Sequence, residues 1–172
     1  MRLFVAVTAG DGIRRTVKDL QDGFRRSGIT GNYTPAENLH LTLAFIGEFG
    51  DPDRVMDALD GVSFSPFRIV MDRIGNFGDL WWAGFREDPE LEELARRVRR
   101  ALSDAGIPFD RKRFRPHVTM LRKGYVPRGA FPGPAEVSAG MTVDRISLML
   151  STKGKNGMIY TELGGVSASG ER

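Results

Sequence analysis

A chain of 172 residues, 41% hydrophobic and 27% charged, is long enough for one sizeable globular domain and too apolar to default to disorder. It holds no cysteine, which excludes disulfides, thiolate metal sites and thiol nucleophiles, and it holds two histidines. A net charge of +3 is compatible with an anionic ligand without requiring one.

Arg2 to Thr8 predicts a first strand. Its apolar run is short and Asp11 follows soon after, so a strand is expected here and not a signal peptide, and no later segment approaches membrane-spanning length. Asp11 to Arg26 predicts an amphipathic helix, with Ile13, Val17, Leu20 and Phe24 on one stripe and Gly28 as the stop. A polar loop follows through Pro35. Its Asn32-Tyr33-Thr34 fits a glycosylation sequon, which has no meaning without secretion. Leu39 to Ile46 predicts a strand. Asp51 to Leu59 predicts a short helix, with Asp51 as N-cap and Pro52 in the first turn. Phe67 to Ile74 predicts another strand, ended by a turn or bulge at Gly75-Asn76-Phe77-Gly78.

Leu80 to Phe85 opens a second series. Asp88 to Asp104 predicts a long helix striped by Leu91, Leu94, Ala95, Val98, Ala101 and Leu102, and Gly106 closes it. Arg96, Arg97, Arg99 and Arg100 lie a turn beyond Glu92 and Glu93 and are expected on its solvent face. A basic loop with Arg111, Lys112, Arg113 and Arg115 leads to a strand over His117 to Arg122, and Gly124 to Pro134 is expected to be irregular. Val143 to Ser151 and Met158 to Leu163 predict a closing pair of strands around Lys153-Gly154-Lys155-Asn156-Gly157. The tail from Val166 to Arg172 is expected to be flexible.

Both histidines sit in such strands, and each is followed two places later by threonine: His40-Leu41-Thr42-Leu43 and His117-Val118-Thr119-Met120. Chance gives both threonines with a probability on the order of a few in a thousand. On a strand, residues i and i+2 share a face, so each motif sets an imidazole beside a hydroxyl. One histidine alone is more often a structural residue than a catalyst; two copies of one pattern call for a common cause. The motifs lie 77 places apart, and about that offset maps strand onto strand, helix onto helix, and 67–74 onto 144–151. The order predicts an internal duplication, with repeats of about 1–77 and 78–165 in one domain. A pseudo-two-fold arrangement then brings the two histidine strands together across one cleft, beside basic side chains suited to phosphate.

The paired motifs, the flanks ENLHLTLAFIGE and RFRPHVTMLR, and the late ISLMLSTKGKNGMIYTEL resemble the two-histidine (2H) phosphoesterases, and among them the RNA 2′,3′-cyclic phosphodiesterases, long called 2′-5′ RNA ligases. The resemblance covers nearly the whole chain. It implies a bilobal, duplicated α+β fold, LigT-like, with two antiparallel sheets flanked by helices around a central cleft. It implies hydrolysis of cyclic phosphodiester ends to 2′-phosphomonoesters, with His40 as proton donor and His117 as proton acceptor. The residues alone leave acid and base interchangeable.

The same resemblance implies phosphate or substrate contacts for Thr42, Thr119 and Arg122, and a place near the nucleotide for Phe45. Strict alternation disagrees on two of these. It sets Phe45 on the core face with Leu43, and Arg122 opposite His117 unless the strand ends or bulges there, as the following Gly124 would allow. Of Trp81 and Trp82, at least one is expected in the core, and either is a candidate to stack a base.

No metal or cofactor is expected, because two histidines without a carboxylate motif fall short of a zinc set. The expected partner is RNA with a 2′,3′-cyclic phosphate end or a related nucleotide, for a cytoplasmic monomer with no membrane contact. Alternatives are reversible 2′-5′ ligation, action on a small nucleotide such as ADP-ribose cyclic phosphate, and a non-catalytic nucleotide- or RNA-binding module.

Overall fold

Five consecutive residues, Leu3 to Val7, are buried in the first strand, which therefore lies inside a sheet and is covered on both faces. The computed structural model describes residues 1–130 and 136–169. In chain order the elements are β1 (Arg2–Thr8), α1 (Asp11–Arg26), β2 (Thr30–Tyr33), a 3₁₀ turn (Ala36–Asn38), β3 (His40–Glu48), α2 (Pro52–Leu59), β4 (Phe67–Phe77), β5 (Leu80–Phe85), α3 (Pro89–Asp104), β6 (His117–Tyr125), β7 (Ala139–Val143), β8 (Arg145–Gly154) and β9 (Gly157–Ser167).

All strand pairs are antiparallel, in the order β7-β4-β5-β6-β3-β1-β8-β9, with β2 paired to the later part of β6 on the edge that β3 meets at Val118. The order reads alike from the centre outwards: β6 answers β3, β5 answers β1, and β4 answers β8. β4, from the first half of the chain, lies with β5 and β6, whereas β8 lies with β1 and β3. Each lobe therefore contains strands from both halves. The five strands on the β6 side, β2 included, and the four on the β3 side meet at one ladder pair, Leu41–Val118, and form one curled sheet.

The core lies between the sheet and the three helices. α1 contributes Ile13, Val17, Leu20 and Phe24; α3 contributes Leu91, Leu94, Ala95, Val98 and Leu102. The expected caps form: Asp51 accepts from Arg54 N, and Asp88 accepts from the amides of Glu90 and Leu91. Gly28, at φ +80, adopts the left-handed conformation that ends α1.

Several boundaries differ from the sequence reading. β4 continues through Gly75-Asn76-Phe77, and the turn falls at Gly78-Asp79 instead. β6 reaches Tyr125, beyond Arg122. β2 is a short polar strand where a loop was expected, and β7 is a short glycine-containing strand to which the sequence assigned no element before Val143. The tail expected to be loose from Val166 is tied further: β9 includes Ser167, Ala168 N donates to Asp144 O, and Ser169 N donates to Phe64 O. Residues 131–135, which include the end of the stretch expected to be irregular, and the last three residues, 170–172, lie outside the described residues.

Candidate active site

The central ladder pair sets the geometry. Leu41 and Val118 point into the core and are buried. Antiparallel register around that pair sets His40 opposite Thr119 and Thr42 opposite His117 on the other face. The two motifs thus interlock, each imidazole facing the other motif's hydroxyl across adjacent strands. All four side chains are partly buried.

Each ring is anchored by the same local device. His40 Nδ1 bonds Asn38 O at 2.7 Å, and His117 Nδ1 bonds Arg115 O at 2.5 Å. A carbonyl only accepts, so both Nδ1 atoms carry a proton and donate it, and both Nε2 atoms remain free to gain or lose one. Asn38 is itself buried, and its side-chain amide donates to Met158 O. Aromatic rings flank each imidazole: Phe4 at 4.9 Å and Tyr160 at 5.2 Å from His40, Phe77 at 5.6 Å and Trp82 at 6.3 Å from His117.

Two bulges decide which later residues reach this face. In β6, Trp82 pairs Thr119 while its neighbour Trp81 pairs Leu121, so Met120 is an extra residue. Met120 and Leu121 are both buried, alternation resets, and Arg122 follows on the face of His117. In β3, Ala6 pairs Thr42 while Val5 pairs Ala44, so Leu43 is extra. Phe45 therefore opposes Phe4 on the histidine face, in a small cluster with Ala6, Met149 and Tyr160, and the Arg2 guanidinium lies 4.7 Å from its ring centre. This corrects the parity that set Phe45 in the main core. The β6 bulge at Met120 is the one that Arg122 required. Phe45 and Arg122 each stand five places after their histidine.

Each bulge is braced by a helix. Gln21 on α1, 7% exposed, donates from Nε2 to Met120 O at 3.0 Å and to Thr34 O at 2.9 Å. Arg99 on α3, 78 places later, donates from Nε to Leu43 O at 3.1 Å and from a terminal nitrogen to Lys112 O at 2.8 Å. The helix of each half thus holds the histidine strand of the other. Arg99 therefore leaves the solvent-facing set in which the sequence grouped it. Arg96 and Arg97 remain there, paired with Glu93, and Arg100 pairs Asp104.

Burial pushes the pKa of both imidazoles below the usual histidine value. The Nδ1 bonds to the backbone oppose this, and the Arg122 charge lowers both further; His117 adds a smaller lowering at His40. Arg122 thus acts electrostatically on both rings. Of the loop arginines, Arg113 and Arg115 line a groove beside His117, and Arg111 stacks 4.7 Å from the centre of the Phe109 ring. Trp81 meets Phe24 edge-on in the core at 5.7 Å, and Trp82 takes the histidine face. Among the described residues, no group of three or more His, Cys, Asp or Glu side chains is arranged to hold a metal ion. No helix among them is long and apolar enough to cross a membrane.

Two imidazoles from different halves of the chain, interleaved with two hydroxyls on one curled antiparallel sheet, define a two-histidine phosphoesterase. The LigT like Phosphoesterase family matches residues 6–80 and 85–160, one stretch around each histidine, and the chain belongs to that family. It is 38% identical to an RNA 2′,3′-cyclic phosphodiesterase of Archaeoglobus fulgidus, over 71% of this chain and 72% of that one. It is 28% identical to an RNA 2′,3′-cyclic phosphodiesterase of Thermotoga maritima, over 95% and 93%. The fold superposes on Escherichia coli LigT complexed with 3′-AMP with a TM-score of 0.84, at 26% identity and 98% coverage of both chains.

Proposed function

We propose that this chain hydrolyses 2′,3′-cyclic phosphodiester ends of RNA to 2′-phosphomonoesters, using His40 and His117 as acid and base. The interlocked pair of imidazoles carries the reading. Water attack on a cyclic phosphodiester needs one base to take a proton and one acid to protonate the departing ribose oxygen. His117 Nε2 takes the proton from water as the new oxygen–phosphorus bond forms. The bond from phosphorus to the 3′ oxygen breaks, and that oxygen receives the proton of His40 Nε2. The 2′ oxygen keeps the phosphate. His117 ends charged and His40 neutral, and exchange with solvent resets both.

Thr42 and Thr119 donate hydroxyl hydrogen bonds to the non-bridging oxygens, and the Arg122 guanidinium balances charge on the phosphoryl group. Phe45 closes the His40 side of the nucleotide. Burial keeps His117 neutral in the free enzyme, as a base must be. The bound phosphate anion then favours the imidazolium at His40. The relatives named as RNA 2′,3′-cyclic phosphodiesterases support this choice of substrate.

One copy of the chain holds both motifs, so a monomer completes the site, shared by repeats of about 1–77 and 78–165. A chain without cysteine needs no oxidising compartment, which suits the cytoplasm. To test the reading, an oligoribonucleotide ending in 2′,3′-cyclic phosphate is incubated with the protein and EDTA, and the product is followed by ³¹P NMR. A 2′-phosphomonoester is expected. An unreacted cyclic phosphate, or a 3′-phosphomonoester, overturns it.

A further inference from the structure

We propose that the indole of Trp82 is the platform on which the nucleobase next to the reacting phosphate stacks. This rests on the cyclic-phosphodiesterase reading and adds a base-binding surface to it. Trp82 stands on β5 directly opposite Thr119, on the face that carries both histidines. Its ring lies across two glycines. A Cβ at Gly75, its partner on β4, would stand 2.5 Å from the indole Cη2 and Cζ2, and one at Gly84 would stand 2.8 Å from Cζ3. Backbone alone therefore fits beneath the ring, and glycine at both positions lets the indole lie down on the sheet.

Among the described residues the buried Nε1–H of Trp82 meets no acceptor, so packing alone sets the ring plane. Phe77, 39% exposed, stands at 5.3 Å from the indole, and His117 at 6.3 Å. A groove of about 580 Å³ opens here, within the size range of small-ligand sites, and Phe77, Trp82 and His117 line it together.

Among the described residues, the equivalent position in the other lobe is covered. The residue 78 places before Trp82 is Phe4, which lies under Tyr160 at 5.1 Å and is only 4% exposed. The cleft is symmetric at its histidines and asymmetric at its aromatic walls, which selects the His117 side for a base. Charge agrees: Arg113 and Arg115 line the groove beside His117, whereas Glu87, Asp88 and Glu92 form another part of its wall. Arg113 and Arg115 give this groove cations that a nucleotide phosphate can meet.

The test compares adenosine 2′,3′-cyclic phosphate with methyl riboside 2′,3′-cyclic phosphate, which has the same reacting group and no base. Base–aromatic stacking predicts that Trp82→Leu lowers kcat/KM for the adenosine substrate about 5- to 100-fold more than for the base-free substrate. Trp82→Phe retains most of the preference. Gly75→Ala, which lifts the ring, reduces it as Trp82→Leu does. Equal losses on both substrates, or none on either, overturn the stacking role. Failure of the wild-type protein to turn over either substrate instead refutes the phosphodiesterase reading. In that case 2′-AMP still quenches indole emission in the wild type and not in Trp82→Phe; absence of quenching at millimolar nucleotide overturns the platform independently of turnover.

Discussion

Replacing Gln21 with leucine keeps the side-chain bulk and removes both hydrogen bonds that brace the β6 bulge. Gln21 is buried and donates to Thr34 O at 2.9 Å and to Met120 O at 3.0 Å. Met120 O keeps a second partner, the Thr34 amide at 3.0 Å, so mainly the Thr34 carbonyl is orphaned. Two lost bonds of modest net worth give a destabilisation of about 1–3 kcal/mol, read as a lower urea midpoint. The functional consequence is separate. The bulge turns Arg122 onto the histidine face, and a shift on the order of 1 Å in a positioning group can cost about 100-fold in rate. A displaced Arg122 also stops depressing the two imidazoles, so both pKa values rise toward the ordinary histidine value. The assay is the pH–rate profile beside a urea melt: kcat is expected to fall about 10- to 100-fold, with the limbs of the profile moved to higher pH. A melt shifted as expected, with kcat and both limbs unchanged, refutes the link from Gln21 through the bulge to Arg122.

Arg99→Leu is expected to disturb β3 in the same manner through Leu43 O, raising KM through Phe45 more than it moves the histidine titrations; parallel kinetics and NMR on the two variants check the division. Arg122→Gln is expected to raise the pKa of both His40 and His117, because a cation leaves the cleft, and to lower kcat/KM at least 100-fold; the two ¹³Cε1 resonances report this directly. Gly31→Ala puts a Cβ 2.7 Å from Lys123 O and 2.9 Å from Arg122 O at a φ of +146, and is expected to cost about 1–3 kcal/mol by parting β2 from β6, as thermal melts will show. Stability should fall as pH drops from about 7 through the ordinary histidine value near 6.5 and on toward the depressed folded-state values. In that window the unfolded chain takes up protons that the folded histidines refuse. A His40→Asn/His117→Asn double variant should flatten that slope.

The histidine motifs, the helices and their caps were legible because periodicity and capping chemistry act over a few neighbouring residues. Strict alternation, by contrast, misplaced Phe45 and left Arg122 conditional. The signal was nonetheless present: Leu43-Ala44 and Met120-Leu121 are apolar doublets that break alternation directly after each His-x-Thr motif. The brace at Arg99 was hidden in a run of arginines, three of which do face solvent. Only its offset from Gln21 distinguishes it, and that offset gains meaning once both are seen to donate to bulge carbonyls. β2 and β7 escaped notice because Thr30–Tyr33 and Ala139–Val143 lack a clear apolar period, and pairing with β6 and β4 makes them strands. The exchange of β4 and β8 between lobes is a long-range property that no local pattern carries.

The most direct measurement of a shared two-imidazole mechanism is single-turnover hydrolysis of a cyclic-phosphate oligoribonucleotide by His40→Ala, His117→Ala and the double variant, with EDTA present. Groups that act as a unit are not additive, so each single change should cost about 10³-fold or more and the double variant little beyond that. Near wild-type turnover in either single variant, or losses that multiply in the double one, would contradict it.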